Sequence, residues 1–428
     1  METFDTIVIG GGPSGSTAAG LLAQAGQKVL VLEKENFPRF HIGESLIPFG
    51  NDVLRELDVW NKLERAGFMP KPGAEFTLGN AAGFQHFAFG SSLDSRYAQT
   101  FQVERAKFDE LLLKNAAEKG ATVLHAAKVS AIRIGVHDVA VTYLLAGATH
   151  EASARWIVDA SGRNSVVGNA MKVPKSDLGM PKRIAVFAHF KNVHRNEGVT
   201  AGNITIVRLE NGWCWFIPLD DEKTSVGLVQ TLGSFKQQGV TPQESFENTI
   251  QNNVELKFRL KRAERVGEYH TESDYTFRHH YAAGPRWLLV GDSAGFIDPI
   301  FSSGVMVALR SSRAAAMAIL RAEAQNRPLS GGEQRAYTRD VKKMTGVFLD
   351  MIRMFYDRHA FEVFMGPSPM LDLPRAVMNL VAGNTHLSWS LQWRVWVFYT
   401  LCWVQRYVQI APRLSFEGNT HREPEIHP

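Results

Sequence analysis

The sequence predicts an α/β fold in which an antiparallel sheet interrupts a strand–helix–strand domain and a helical region follows. Three observations predict it. Thr6–Ile9 reads as a short buried strand, Gly10 to Gly15 as a glycine-rich turn, Ser16–Ala25 as a helix and Lys28–Leu32 as a second buried strand. That is a βαβ unit of about 30 residues. Residues 180–275 alternate apolar and polar positions over several runs, including Arg183–His189, Ile204–Leu209 and Ser225–Gln230, the period of a half-buried antiparallel sheet. From Ser302 onward the composition is mostly helical.

The remaining elements follow in order. Residues 101–118 carry the pattern of an amphipathic helix. Ala154–Asp159 and Trp287–Gly291 read as further strands of the first domain, each closing on a glycine-bearing turn. The expected division is a nucleotide-binding domain over 1–70, 101–175 and 281–330, and a substrate-binding sheet domain over 71–100 and 176–280. A helical C-terminal region over 331–418 and a polar, disordered tail over 419–428 complete it.

Composition narrows the function. The chain has 428 residues, more than one core usually serves, with 45% apolar and 21% charged residues. A net charge of +4 without any Lys/Arg run argues against nucleic acid as a partner. The two cysteines, Cys214 and Cys402, exclude a disulfide framework and fit a reducing cytoplasm. No basic leader precedes the first strand, and no stretch reaches the ~20 apolar residues of a spanning helix.

Gly10-x-Gly12-x-x-Gly15 stands between strand and helix, with Pro13 and Ser14 at the helix start. Such a turn lets backbone approach a pyrophosphate, and the helix end offers free N–H groups and partial positive charge to it. Glu33 ends the second strand about 20 residues on, where a carboxylate accepts hydrogen bonds from ribose hydroxyls. Dinucleotide binding follows.

Over nearly its whole length the chain resembles the FAD-dependent monooxygenase and halogenase superfamily. The resemblance rests on Phe37-Pro-Arg-Phe-His-Ile-Gly-Glu-Ser45, Val103-Glu-Arg-Ala-Lys-Phe-Asp-Glu-Leu-Leu112, Val158-Asp-Ala-Ser-Gly-Arg163 and Leu289-Val-Gly-Asp-Ser-Ala-Gly295. It implies FAD as cofactor. Besides the turn residues and Glu33, it implies that Lys34, Arg39, Ser45, Arg105, Val129, Asp159, Gly291, Asp292, Pro299 and Gly304 contribute to the cofactor site, Asp292 at the ribityl chain.

Three features resemble the halogenase branch. Trp213-Cys-Trp-Phe-Ile-Pro218 matches the W-x-W-x-I-P pattern, two indoles on one strand face that would keep substrate off the flavin. Lys71, in Phe68-Met-Pro-Lys-Pro-Gly-Ala-Glu-Phe76, matches the family's essential lysine, which holds hypohalous acid or forms a haloamine. Phe296-Ile-Asp-Pro-Ile-Phe-Ser-Ser-Gly304 matches the segment whose Ser303 and Gly304 amides would hold chloride or bromide. The implied catalytic residues are therefore Lys71, Trp213 and Trp215.

Two departures are informative. Tryptophan halogenases carry a glutamate where this chain has Phe301, so the sequence is similar to the branch that halogenates phenols or pyrroles, free or tethered to a carrier protein. The middle motif reaches Gly168 where NAD(P)H-using hydroxylases carry arginine, and no second G-x-G-x-x-G unit occurs. A separate flavin reductase is the implied partner. The rivals are a reductase of the geranylgeranyl-reductase type, an aromatic hydroxylase, and a non-enzymatic homologue serving as a binding partner. His279 and His280 lack partners at metal spacing, and no metal site is expected. Trp389–Tyr407 holds four of the nine tryptophans. It is expected to pack as a helix with its tryptophans on several faces, against the alternative of a membrane or carrier surface.

Overall fold

The structure is a computed structural model. It describes residues 2–81, 83–92, 97–274, 276–367, 370–385 and 387–416, so the expected tail lies outside the described residues.

Glu2–Ile9 lies at the centre of the first sheet, parallel to Val29–Leu32 on one side and to Ala148–Asp159 on the other. Thr122–Leu124 extends the sheet in parallel beyond Val29–Leu32, and Trp287–Leu289 pairs in parallel with the end of Ala148–Asp159. Val139–Leu145 and Lys128–Ile134 continue it antiparallel at the far edge. Ile7, Val8, Leu30, Val31, Val158 and Leu288 are fully buried, which is why these strands read as unbroken apolar runs. Helices Pro13–Gln24, Arg105–Glu118 and Gly304–Glu323 pack together against the sheet. This is the expected Rossmann-type domain.

The second sheet runs in the order Glu264–Asp274, Arg183–Lys191, Thr224–Thr231, Gly212–Pro218, Ile204–Leu209, Gly73–Leu78, Phe84–Ala88. It is antiparallel except at one seam, where Ile204–Leu209 and Gly73–Leu78 are parallel. The exception is topological: Gly73–Leu78 enters from the first domain as half of a hairpin, and the long intervening chain supplies the crossover a parallel pair requires.

A second difference concerns residues 101–118. Thr100–Gln102 is a strand paired with Met69–Lys71, and the helix begins only at Arg105. The apolar residues Phe101 and Val103 are buried, and their strand joins the two domains where Lys71 sits.

After Gly304–Glu323 come helices Gly331–Tyr356, Arg358–Met365, Leu373–Val381 and Trp389–Val404. The first is set by a capping box: Ser330 Oγ accepts from Glu333 N–H and Glu333 accepts from Ser330 N–H. Its far end delivers Tyr356 to the functional site.

Candidate functional site

The glycine turn is built to hold backbone close to backbone. A Cβ on Gly15 would lie 1.8 Å from the Gly10 carbonyl oxygen, and one on Gly291, at φ +56°, would lie 2.2 Å from Ser14 Oγ. The first and late motifs therefore touch directly. Gly11 N–H donates to Glu33 Oε2 at 2.6 Å, and Glu33 is buried with its other oxygen on Glu35 N–H. Lys34 beside it is exposed and pairs with Glu35. Val129 follows Ala127, whose N–H donates to the Glu33 carbonyl at 2.8 Å, so it stands at the same end of the turn.

Arg39 and Arg105 share one carboxylate. Arg105 makes a two-point bond to Asp109 at 2.7 and 2.8 Å, and Arg39 approaches the same group at 3.6 Å. Arg39 also passes close to Gly12. Arg39 also pairs with Glu35 at 3.3 Å, so the two guanidiniums are held by two carboxylates beside the turn, and their remaining N–H groups are the donors that suit a pyrophosphate.

The middle and late motifs are laced together. Asp159 accepts from Ser161, Val167 and Gly168 N–H, so its carboxylate shapes its own turn. Ser293 Oγ donates to the Asp159 carbonyl, and Ser165 Oγ donates to the Ser293 carbonyl at 2.9 Å. His279 Nε2 bonds the same Ser165 hydroxyl and His280 bonds Ser176, which accounts for both histidines structurally. Asp292 is half-buried. Burial pushes its pKa up to about 6 against the opposing pull of Arg163 and Arg105. The donor set of glycine turn, Glu33, two arginines and Asp292 fits a flavin dinucleotide. Gly15→Ala is expected to weaken FAD retention at least about tenfold, measured by flavin content after gel filtration, because the new methyl displaces the turn.

Lys71 is the second centre. Its side chain is 1% exposed. Nζ donates to Ser45 Oγ at 2.9 Å and to the Leu46 carbonyl at 2.7 Å, and it lies 5.4 Å from the centroid of the Phe89 ring. Burial alone pulls its pKa down to about 7. Ser45, expected at the cofactor, accepts this hydrogen bond from the lysine.

Lys71 borders a narrow cavity whose other walls include Phe76, Ile204, Ile206, Phe301 and Ser302. The segment with Lys71 and the segment expected to bind halide thus meet at one place. Pro299–Phe301 forms a tight turn, Ser302 adopts φ +56°, and the 20-residue helix Gly304–Glu323 begins directly after. No side chain caps that helix, so its first N–H groups are offered towards the turn. Phe301 packs against Phe76, Phe355 and Phe364, an apolar setting in which a carboxylate would be desolvated.

The two tryptophans stand one strand beyond this cavity and do not line it. Phe76, Ile206 and Trp215 form one row across three paired strands, continuing to Gly227 and Phe187. Trp213 and Trp215 are buried with ring centroids 5.7 Å apart. Trp213 Nε1 donates to Tyr356 Oη at 2.8 Å, and Tyr356 donates to Asp298 Oδ2 at 2.9 Å. Arg183 pairs with the same oxygen at 3.2 Å, and Asp298 Oδ1 accepts from Ile300 N–H. This buried chain ties the tryptophan strand to the turn before Ser303.

Comparison with known proteins decides the family. A sequence profile described as tryptophan halogenase matches residues 5–100 and 91–362. The chain belongs to the tryptophan-halogenase family. This halogenase is 35% identical over 346 residues to a 1H-pyrrole-2-carbonyl-[peptidyl-carrier protein] chlorinase of Pseudomonas fluorescens, covering 76% of this chain and 77% of that one. It is 30% identical over 390 residues to the corresponding brominase of Pseudoalteromonas luteoviolacea, covering 90% and 92%. Its structure matches that of the flavin-dependent brominase Bmp2 with a TM-score of 0.84 at 29% identity, over 95% of this chain and 99% of that one. FAD is the cofactor of this family.

Sequence reading missed the Arg183–Asp298–Tyr356 chain and the pair His189 Nε2–Glu44 Oε1 at 2.8 Å. Asp298 lies inside a recognised motif and was within reach. Arg183 and Tyr356 carry no local signal.

Proposed function

We propose that this halogenase transfers an electrophilic halogen to an electron-rich aromatic ring, a pyrrole or phenol, through Lys71. The observation that carries the reading is the meeting of Lys71 with the Ile300–Ser302 turn at one apolar cavity. Reduced FAD and oxygen supply the oxidising power that turns halide into hypohalous acid. The protein's own residues do the rest. Ser303 and Gly304 amides hold chloride or bromide at the helix start. The apolar walls exclude water from the oxidised halogen. Trp213 and Trp215 form the barrier between substrate and flavin. Cofactor contacts are assigned to Gly10, Gly12, Pro13, Ser14, Gly15, Glu33, Lys34, Arg39, Ser45, Arg105, Val129, Asp159, Gly291, Asp292, Pro299 and Gly304.

The state of Lys71 follows from its partners. Ser45 Oγ and the Leu46 carbonyl take two N–H groups. In the neutral amine the remaining position is a lone pair, able to take halogen. Halogenation per flavin oxidised is therefore expected to rise with pH through about 7, where the amine loses its proton. A profile falling through that range in a stopped-time product assay contradicts the neutral-amine role.

Among the described residues lining the cavity beside the lysine none is a carboxylate, and Phe301 stands at the turn, so the ring must be reactive by itself, which favours pyrroles and phenolates. The two pyrrole-halogenating relatives add support for a carrier-tethered substrate. A reductase or hydroxylase would require neither a buried lysine nor an anion site. A separate flavin reductase and a cytoplasmic setting, with both cysteines buried and unpaired, complete the proposal. The test is turnover with pyrrole-2-carboxylate offered free and as a carrier-protein thioester. Halogenated thioester is the expected product. Halogenation of free phenols alone would overturn the carrier-tethered pyrrole reading.

A further inference from the structure

The C-terminal helix Trp389–Val404 carries a feature the halogenation chemistry does not use. Its inner face, Leu391, Val395, Phe398 and Cys402, is buried in the core shared with Phe76 and Phe301. Its outer face is aromatic. Trp389, Trp396 and Trp403 are 83%, 68% and 57% exposed. They stand seven residues apart, a spacing that drifts only ~20° per step, so they line one face. The expectation that the tryptophans scatter over several faces is corrected here. The stripe is about 21 Å long. Tyr407, 71% exposed, packs at a tilt against Trp403, with ring centroids 5.2 Å apart, and exposed Val408 and Ile410 extend the patch.

We infer that this stripe seats the protein on an anionic phospholipid surface, with the helix lying in the plane of the interface. Two observations choose this occupant. The indoles form a straight row along the helix, the arrangement of in-plane interfacial anchors, whereas protein-binding hot spots cluster around a central pocket. The charge also fits: from Leu373 to Phe416 the sequence holds four arginines and no Asp or Glu. Arg375, Arg406 and Arg413 are tied to Asp372, Asp357 and Glu362 on neighbouring elements, so the patch is weakly positive and aromatic insertion dominates. The helix does not cross: no helix among the described residues is long and apolar enough to span a membrane.

The test is co-sedimentation of the FAD-loaded protein with vesicles of phosphatidylcholine alone or mixed with phosphatidylglycerol. Tryptophan emission is read in parallel. Binding to the mixed vesicles with a blue-shifted emission is expected, and added salt should weaken it only modestly. Trp396→Ser should weaken binding about tenfold, the effect of returning one largely buried indole to water. The triple variant W389S/W396S/W403S should abolish it while retaining FAD and halogenation of a soluble substrate. Absence of vesicle binding, binding indifferent to the triple variant, or capture of an acidic carrier protein by the stripe without vesicle binding would each overturn the inference.

Discussion

Lys71→Ala is expected to lower halogenation about 10³-fold or more while FAD binding and flavin reoxidation continue near the wild-type rate. Among the described residues bordering the cavity the amine is the one nitrogen side chain, and its hydrogen-bond partners are the Ser45 hydroxyl and the Leu46 carbonyl. Lys71→Met separates chemistry from packing, since it fills the volume without the nitrogen. The same variant tests the energetics of burial. The folded lysine titrates near 7 and the unfolded one near 10.5, so between those values the unfolded chain binds more protons. Stability of the wild type should therefore rise with pH from about 7 towards 10.5, and the penalty is largest below 7. Lys71→Met should lose that slope and melt higher at neutral pH. Thermal melts of both proteins across this range check the sign.

Asp298→Ala is expected to destabilise the fold by about 3–5 kcal/mol, because it leaves Arg183 buried without its partner. Asp298 is fully buried and Arg183 nearly so. The substitution also releases the Ile300 N–H that shapes the turn before Ser303. Tyr356→Phe is the milder probe, at about 1 kcal/mol, since it removes one hydroxyl that links Trp213 to Asp298. If this hydrogen-bonded chain positions the halide turn, Tyr356→Phe should raise the KM for bromide several-fold while kcat at saturating bromide changes little. A purely structural role would lower the melting temperature and leave the bromide KM unchanged. Combined with Trp213→Phe the effect should be less than additive, because both substitutions cut one link.

Local chemistry explains what the sequence revealed. The Gly10–Gly15 turn, Glu33 and the Leu289–Gly295 segment are legible because backbone geometry forces particular residues at fixed spacing. Lys71 and the Phe296–Gly304 segment are legible separately, but their meeting depends on Gly73–Leu78 joining the second sheet in parallel, which no short pattern reports. Arg183 and Tyr356 reach Asp298 from distant elements, and an arginine on a strand or a tyrosine at a helix end has no signature of its own. Ser45 sits in a recognised segment, yet its hydroxyl turns to Lys71 because the Thr100–Gln102 strand brings the lysine beside it. The seven-residue spacing of Trp389, Trp396 and Trp403 was present in the sequence. Trp393, half-buried and stacked by Arg394, obscured it until the helix phase was known.

The central claim is that Lys71, which borders this cavity, delivers halogen to an aromatic ring. Mass spectrometry of turnover mixtures tests it most directly. They contain the protein, FAD, a general flavin reductase, NADH, oxygen, bromide and a panel of free and carrier-tethered pyrroles and phenols. The account predicts a product with the bromine isotope doublet, absent when Lys71→Ala replaces the wild type. Hydroxylated or reduced products without bromine, or a bromine doublet that persists in Lys71→Ala, would contradict it.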